Sequence, residues 1–304
     1  MRIASLLPSA TEIVCALGLA DMLVGVSHEC DYPPEVVADL PRLTRSAIPH
    51  GLTSAAVDAA VVARLHAGES LYLLEDRLLA ELNPDLLITQ ELCDVCAVSY
   101  EEVCRLSERL PGRPRVVSLQ PPNLAGIFED IHTIARAADC PGRAERLVGD
   151  LQARLNRVQA AVSGRPCPRV FALEWLDPPF AAGHWVPEMI ALAGGEEVLG
   201  RAGEKSFRVT WGQIVDAQPD VILLIPCGYP AQAAQREFAD LPKPAGWESI
   251  RAVRSGRVHA LDANSCFSRP GPRVVEGIES LAKLLHAVEA EDVARVAHSS
   301  QLVS

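Results

Sequence analysis

The chain has 304 residues, 49% of them hydrophobic and 22% charged, with a formal net charge of -11 at pH 7. That length allows two domains with cores of their own. The acidic balance excludes a nucleic-acid binder, which needs a basic stripe to meet phosphates, and no stretch approaches the ~18 uninterrupted apolar residues of a membrane span.

Residues 2–7 are a short apolar run that Pro8 ends. The run reads as a buried strand rather than a secretory leader, which needs a basic start and an apolar core of about 7–15 residues. The expectation that follows is a cytoplasmic protein. Ser9, with Glu12 three residues on, predicts a capping box for a helix over 9–19. Residues 22–26 form a second strand, which runs into Ser27-His28-Glu29-Cys30-Asp31, and Pro33-Pro34 opens a short helix. Helical spacing recurs over 54–65 and 74–82. Residues 86–89 are a third strand, 99–110 a helix with Val103, Leu106 and Leu110 on one face, and 115–119 a fourth strand. A helix follows over 123–138. Over 142–162 Leu147, Leu151, Leu155, Val158 and Val162 recur at helical spacing, and ~21 residues of helix would span roughly 30 Å, enough to bridge two lobes.

The pattern then restarts, with strands over 169–174, 220–225 and 257–261 and helices over 186–192, 210–217 and 272–288. Asn83-Pro84-Asp85-Leu86-Leu87-Ile88 is echoed by Gln218-Pro219-Asp220-Val221-Ile222-Leu223. Strands that alternate with helices imply parallel sheets with helices on their faces. The expected fold is α/β: two Rossmann-like lobes joined by one long backbone helix. The lobes are expected at 1–120 and 166–290, the helical connection at 121–165 and a polar tail at 291–304.

Ligands of open α/β sheets bind at the carboxyl ends of the strands, so the segments just after the strands are the candidates for chemistry. Cys30, Cys93, Cys96, Cys227 and Cys266 all fall there, with His28 and His184. Thiolates and imidazoles suit zinc, iron or a metal-centred macrocycle. Against that stands the ordinary role of free cysteine as a small buried hydrophobe, which is how Cys15, Cys104 and Cys140, on helices, are read. Thiol–disulfide chemistry at Cys93-Asp94-Val95-Cys96 is opposed by Asp94 and Glu91, because negative charge raises a thiol pKa. Glu29, Asp31, Glu91 and Asp94 could pair as carboxylates, or simply cap helices and meet solvent. Pro178-Pro179-Phe180 is a rigid turn carrying a ring, and Phe180 and Trp185 could face a flat apolar ligand. No G-x-G-x-x-G, P-loop or G-x-S-x-G spacing occurs, so nucleotide binding and hydrolase chemistry have no local support.

Several pieces carry a family resemblance by their order and spacing. They are Leu7-Pro8-Ser9-Ala10-Thr11-Glu12, Asp31-Tyr32-Pro33-Pro34, Pro84-Asp85-Leu86-Leu87-Ile88, Pro178-Pro179-Phe180 with Gly183, and Phe267-Ser268-Arg269 with Pro272-Arg273. Over nearly its whole length the chain resembles the substrate-binding proteins of ABC importers built on a helical backbone, and among them those that bind cobalamin. The resemblance implies a binding protein without catalysis and a cobalamin or other corrinoid held between the lobes. It implies an ABC importer as partner. The site would be drawn from Ser9, from His28, Glu29 and Asp31, from Gln90 and Glu91, from Phe180 and Trp185, and from Phe267 and Arg269. The chain also departs from the family. Its transporter-docking acid corresponds to Ser268, its aromatic shields to Cys266 and to Gln90-Glu91, its export signal is missing, and residues 46–70 read as an insertion. The alternative is a Zn or Fe thiolate protein, metallochaperone or enzyme on the same frame, with Cys30, Cys93, Cys96 and Cys266 as ligands.

Overall fold

The computed structural model describes residues 1–91 and 100–287. The expected Cys93 and Cys96, Asp94 between them, and the tail at 291–304 lie outside the described residues.

The first lobe runs β1 (Ile3–Ser5), α1 (Pro8–Ala16), β2 (Leu23–Val26), α2 (Pro34–Val37), β3 (Thr44–Ser46), α3 (Ser54–His66), β4 (Tyr72–Leu74), α4 (Asp76–Leu82), β5 (Leu86–Gln90), α5 (Tyr100–Arg109) and β6 (Arg115–Leu119). Its main sheet has the order β2-β1-β5-β6, all parallel. β1 and β5 are buried along their whole length. Strands covered on both faces need apolar residues on both, which is why they read as unbroken apolar runs. α6 (Leu124–Ala137) and the 22-residue α7 (Pro141–Val162) lead to the second lobe.

That lobe runs β7 (Arg169–Trp175), β8 (Phe180–Ala181), α8 (Val186–Leu192), β9 (Glu196–Glu197), β10 (Phe207–Arg208), α9 (Trp211–Ala217), β11 (Val221–Leu224), α10 (Ala231–Asp240), α11 (Arg251–Arg254), β12 (Val258–Ala260), α12 (Ala263–Cys266) and α13 (Val274–His286). Its sheet is mixed. β7, β11 and β12 are parallel, while β8 and β10 add an antiparallel edge that the sequence reading did not foresee. Two-residue strands are too short to show an alternating pattern.

The sequence echo is a structural repeat. Asn83 and Gln218 close α4 and α9 in the left-handed conformation, with φ of 42° and 45°. Two residues on, Asp85 Oδ2 accepts the Arg2 N–H at 2.7 Å and Asp220 Oδ2 accepts the Arg169 N–H at 3.0 Å. The two arginines answer alike: Arg2 Nε donates to the Leu82 carbonyl at 2.9 Å, and an Arg169 guanidinium N–H to the Ala217 carbonyl at 3.0 Å. In each lobe an Asp thus fixes the start of the neighbouring strand while the Arg satisfies a helix C-terminal carbonyl.

One hydrophobic cluster runs through both lobes. It joins Ile3, Ile88 and Ile131 to Leu151 of α7 and on to Val170, Leu223 and Ile278. Two smaller clusters cover the other faces of the sheets, one around Leu43, Leu87 and Leu106, the other around Phe171, Phe238 and Trp247.

The expected capping box at Ser9 and Glu12 is not formed. Pro8 begins α1 behind Leu7, and Glu12, only 4% exposed, accepts two hydrogen bonds from Arg273, at 2.9 and 2.6 Å. A charged guanidinium outcompetes a backbone amide for a buried carboxylate. A reciprocal box occurs at Thr210 and Gln213 instead. Residues 46–70 extend from a separate two-stranded sheet, β3 and β4, which pair antiparallel.

Candidate functional site

A cavity of about 90 Å³ lies between the lobes. The first lobe gives it Gln90, from the carboxyl end of β5. The second gives Glu174 from the end of β7, the 183–186 turn that enters α8, and Ile225 and Cys227 beyond β11. Phe267, Ser268 and Pro270 close it after α12. These positions are at or just past strand and helix ends, where an open α/β sheet leaves a crevice.

The 183–186 turn is held by its neighbours. A Cβ on Gly183 would stand 2.4 Å from the Glu204 carbonyl oxygen and 2.4 Å from the Ser206 nitrogen, so only glycine fits beneath that loop. The Gly183 N–H donates to Glu174 Oε2 at 3.2 Å, and the His184 N–H to the Glu204 carbonyl at 2.6 Å. His184 itself sits at φ 50°. Burial, with Lys205 nearby, lowers the His184 pKa, so its ring is neutral at pH 7. Its Nε2 is buried with no hydrogen-bond partner. The Trp185 indole N–H donates to the Phe267 carbonyl at 2.7 Å, which ties the turn to the loop after α12. The site thus presents a flat apolar wall, Trp185 and Phe267, beside a few polar groups, Gln90, Glu174 and Ser206.

Of the candidate ligand residues, Gln90, Trp185 and Phe267 line this cavity, and the others are placed elsewhere. Ser9 is buried with its hydroxyl unpaired. His28 Nδ1 is 2.7 Å from Thr44 Oγ1, and its Nε2, 3.3 Å from Glu29 Oε1, draws that carboxyl below its ordinary value. Asp31 is paired with Arg269, whose guanidinium also donates to the Glu29 carbonyl at 3.0 Å and stands 3.5 Å from Glu12. Arg269 therefore joins the lobes to each other. Glu91 accepts from Gln120, and Phe180 lies under the Arg208 guanidinium, 5.6 Å away. Sequence reasoning singled out His184 and Cys227 only by their place after strands, and missed Glu174, Ser206 and Pro270. Nothing in their local sequence distinguishes them.

Among the described residues no group of three His, Cys, Asp or Glu side chains is placed to hold a metal ion. Cys30 is buried against Thr11 Oγ1 at 3.1 Å, and burial pushes its thiol up to about 11. Burial pushes Cys266 up to about 12. Both are protonated core thiols at pH 7, poor metal ligands as they stand. The expected ligation by Cys30 and Cys266 finds no support in this geometry, because burial outweighs the nearby Arg269 and Arg42 at Cys30 and Arg273 at Cys266 and keeps both thiols protonated.

Two α/β lobes on a helical backbone, with a partly apolar chamber between them, define a two-lobed binding protein. Comparison with known proteins agrees: the periplasmic binding protein family matches residues 3–265, and the chain belongs to it. The vitamin B12-binding protein of Vibrio cholerae serotype O1 is 24% identical over 301 residues, covering 95% of this chain and 91% of that protein. An ABC transporter substrate-binding lipoprotein of Bacillus subtilis is 25% identical and covers 94% of this chain and 80% of its own. A periplasmic haem-binding protein from Roseiflexus sp. RS-1 superposes with a TM-score of 0.70 at 25% identity, over 94% of this chain and 98% of that one. The chain is a substrate-binding protein, not an enzyme.

The same comparisons overturn the cytoplasmic expectation, since the relatives are periplasmic proteins and a lipoprotein. The apolar start is core, as its sequence implies: Ile3–Ser5 is an interior strand of the first sheet. Such a strand says nothing about which compartment the fold occupies.

Proposed function

We propose that the chain carries a corrinoid of the cobalamin type between its lobes and hands it to an ABC importer. The observation that carries this reading is the Trp185–Phe267 wall at the mouth of both lobes' strand ends. A lining that includes aromatic side chains suits a flat macrocycle, and the polar groups beside them suit its amide rim. The resemblance to vitamin B12-binding proteins over 95% of the chain supports the same cargo. Haem is the second reading, favoured by the likeness to the haem-binding protein and by the neutral His184, whose imidazole is of the kind that binds iron.

The cavity of about 90 Å³ is smaller than the roughly 300–1,000 Å³ of ordinary ligand pockets. Seating either macrocycle therefore requires the lobes to part. The test is visible absorbance after incubation with cyanocobalamin, and separately with haemin, followed by desalting. Retention of cyanocobalamin at ~1:1, lost in Trp185→Ala, is the expected result. Retention of haemin alone, with a Soret shift absent in His184→Ala, would transfer the assignment to haem. Retention of neither defeats both.

A further inference from the structure

We propose that residues 46–70 form a latch that ties the two lobes together and must let go for a ligand to enter. Both ends of this segment are rooted in the first lobe. β3 and β4 pair with each other, the Glu75 N–H donates to the Leu43 carbonyl at 2.9 Å, and Arg42 bridges to Val26 at the edge of the main sheet. Its middle reaches across to the second lobe. There Ser54, at the start of α3, is gripped twice: its N–H donates to Glu237 Oε1 at 2.6 Å, and its carbonyl accepts the Trp175 indole N–H at 3.2 Å. One turn later both carboxylate oxygens of Asp58 accept from a single guanidinium nitrogen of Arg208, at 2.9 and 2.7 Å.

The second-lobe side of the latch is itself braced. Trp175 meets the Tyr229 ring edge-on at 5.8 Å, and Tyr229 hydrogen-bonds Glu237. Arg208 lies over Phe180. These residues come from the ends of β7 and β10 and from α10, so one short helix start touches three elements of the other lobe.

The placement makes the contact a latch. The lobes are already joined along one face of both sheets by the shared core through α6, α7 and α13. α10 belongs to the other face, where its Phe238 packs with Trp247. With the shared core on one face and the clasp reaching the other, the two lobes are tied on both sides. The clasp is also light. Ser54 is the single buried residue of α3, and Leu52 and Leu65 beside it are exposed. A segment held by a handful of polar contacts and little apolar burial opens at low cost. The Asp58–Arg208 pair is half open to water and so weak.

The latch does not depend on the cargo being a corrinoid, and its test begins without ligand. Hydrogen–deuterium exchange is measured on the full chain and on the Asp58→Ala/Glu237→Gln double variant. Amides of residues 54–60 should exchange about tenfold faster in the variant, with those of α7 and β1 unchanged. Unaltered exchange over 54–60 overturns the latch. So does uniform acceleration across the chain, which marks lost global stability rather than local release. As a second readout, association rates of cyanocobalamin and of haemin are compared between the two proteins. Whichever probe the wild type binds should enter the variant faster, and equal rates overturn the gating role. If neither probe binds, the corrinoid and haem readings fall, and the exchange data alone decide the latch.

Discussion

Asp130 is the residue whose surroundings most clearly oppose its chemistry. It lies on the buried face of α6, 8% exposed, with Oδ2 unpaired. Burial raises its pKa from 3.8 to about 7, even though the Gln120 N–H donates to it. An acid whose pKa rises on folding binds its proton more tightly in the fold. Its contribution is therefore favourable at low pH, and stability falls as pH rises from about 4 through 7. Asp130→Asn should be about 1–3 kcal/mol more stable than wild type at pH 8.5 and nearly equal to it at pH 4. Urea unfolding at the two pH values measures this; a constant difference would show that the carboxyl does not titrate there. Such a residue is invisible in sequence, where Asp130 is one more acid in a helix, because its burial is decided by what α6 packs against.

At the scale of elements, the repeat of Arg2–Asp85 in Arg169–Asp220 predicts matched behaviour in the two lobes. Asp85→Ala and Asp220→Ala should each cost about 1–2 kcal/mol in chemical denaturation, because each leaves a strand-opening N–H without its carboxylate. The two losses should add in the double variant, since the sites share no partner. A large cost at one and none at the other would mean the repeat is geometric only. The long parallel strands and the helices between them were legible in the sequence, because doubly buried strands must be apolar throughout. β3, β4, β8 and β10, at two or three residues each, were not. The Ser9–Glu12 spacing was legible and misleading: it matches a capping box, but Arg273, 261 positions further on, took the carboxylate. Of the candidate ligand residues, Trp185 and Phe267, expected from strand ends, and Gln90, expected from the resemblance, line the cavity between the lobes. Asp31 and Arg269, equally well placed by sequence, neutralise each other.

Across the whole molecule, Glu12, Arg269 and Arg273 form a largely buried ionic cluster between the lobes that the exposed Asp31 completes at its edge, with the Arg273 guanidinium 4.1 Å from the Tyr32 ring. Glu12→Gln leaves two buried guanidinium groups short of an anion, and should destabilise the protein by about 3 kcal/mol. Because the core cluster belongs to both lobes, that loss should appear as one lowered melting transition rather than as the early melting of one half. Two separated calorimetric peaks would contradict it.

The same continuous core also sets limits on how such a chain can be recombined. Ile88, Leu151, Val170 and Ile278 pack in one cluster, so a chimera that took one lobe from a relative would bring half of an interlocking surface to the wrong partner. The segment at 46–70 buries little and returns to its own β-pair. It can be lengthened, shortened or exchanged between relatives while the shared core stays intact. If the proposed latch governs entry, its few polar contacts can change without disturbing the frame, which the packing of both halves holds constant.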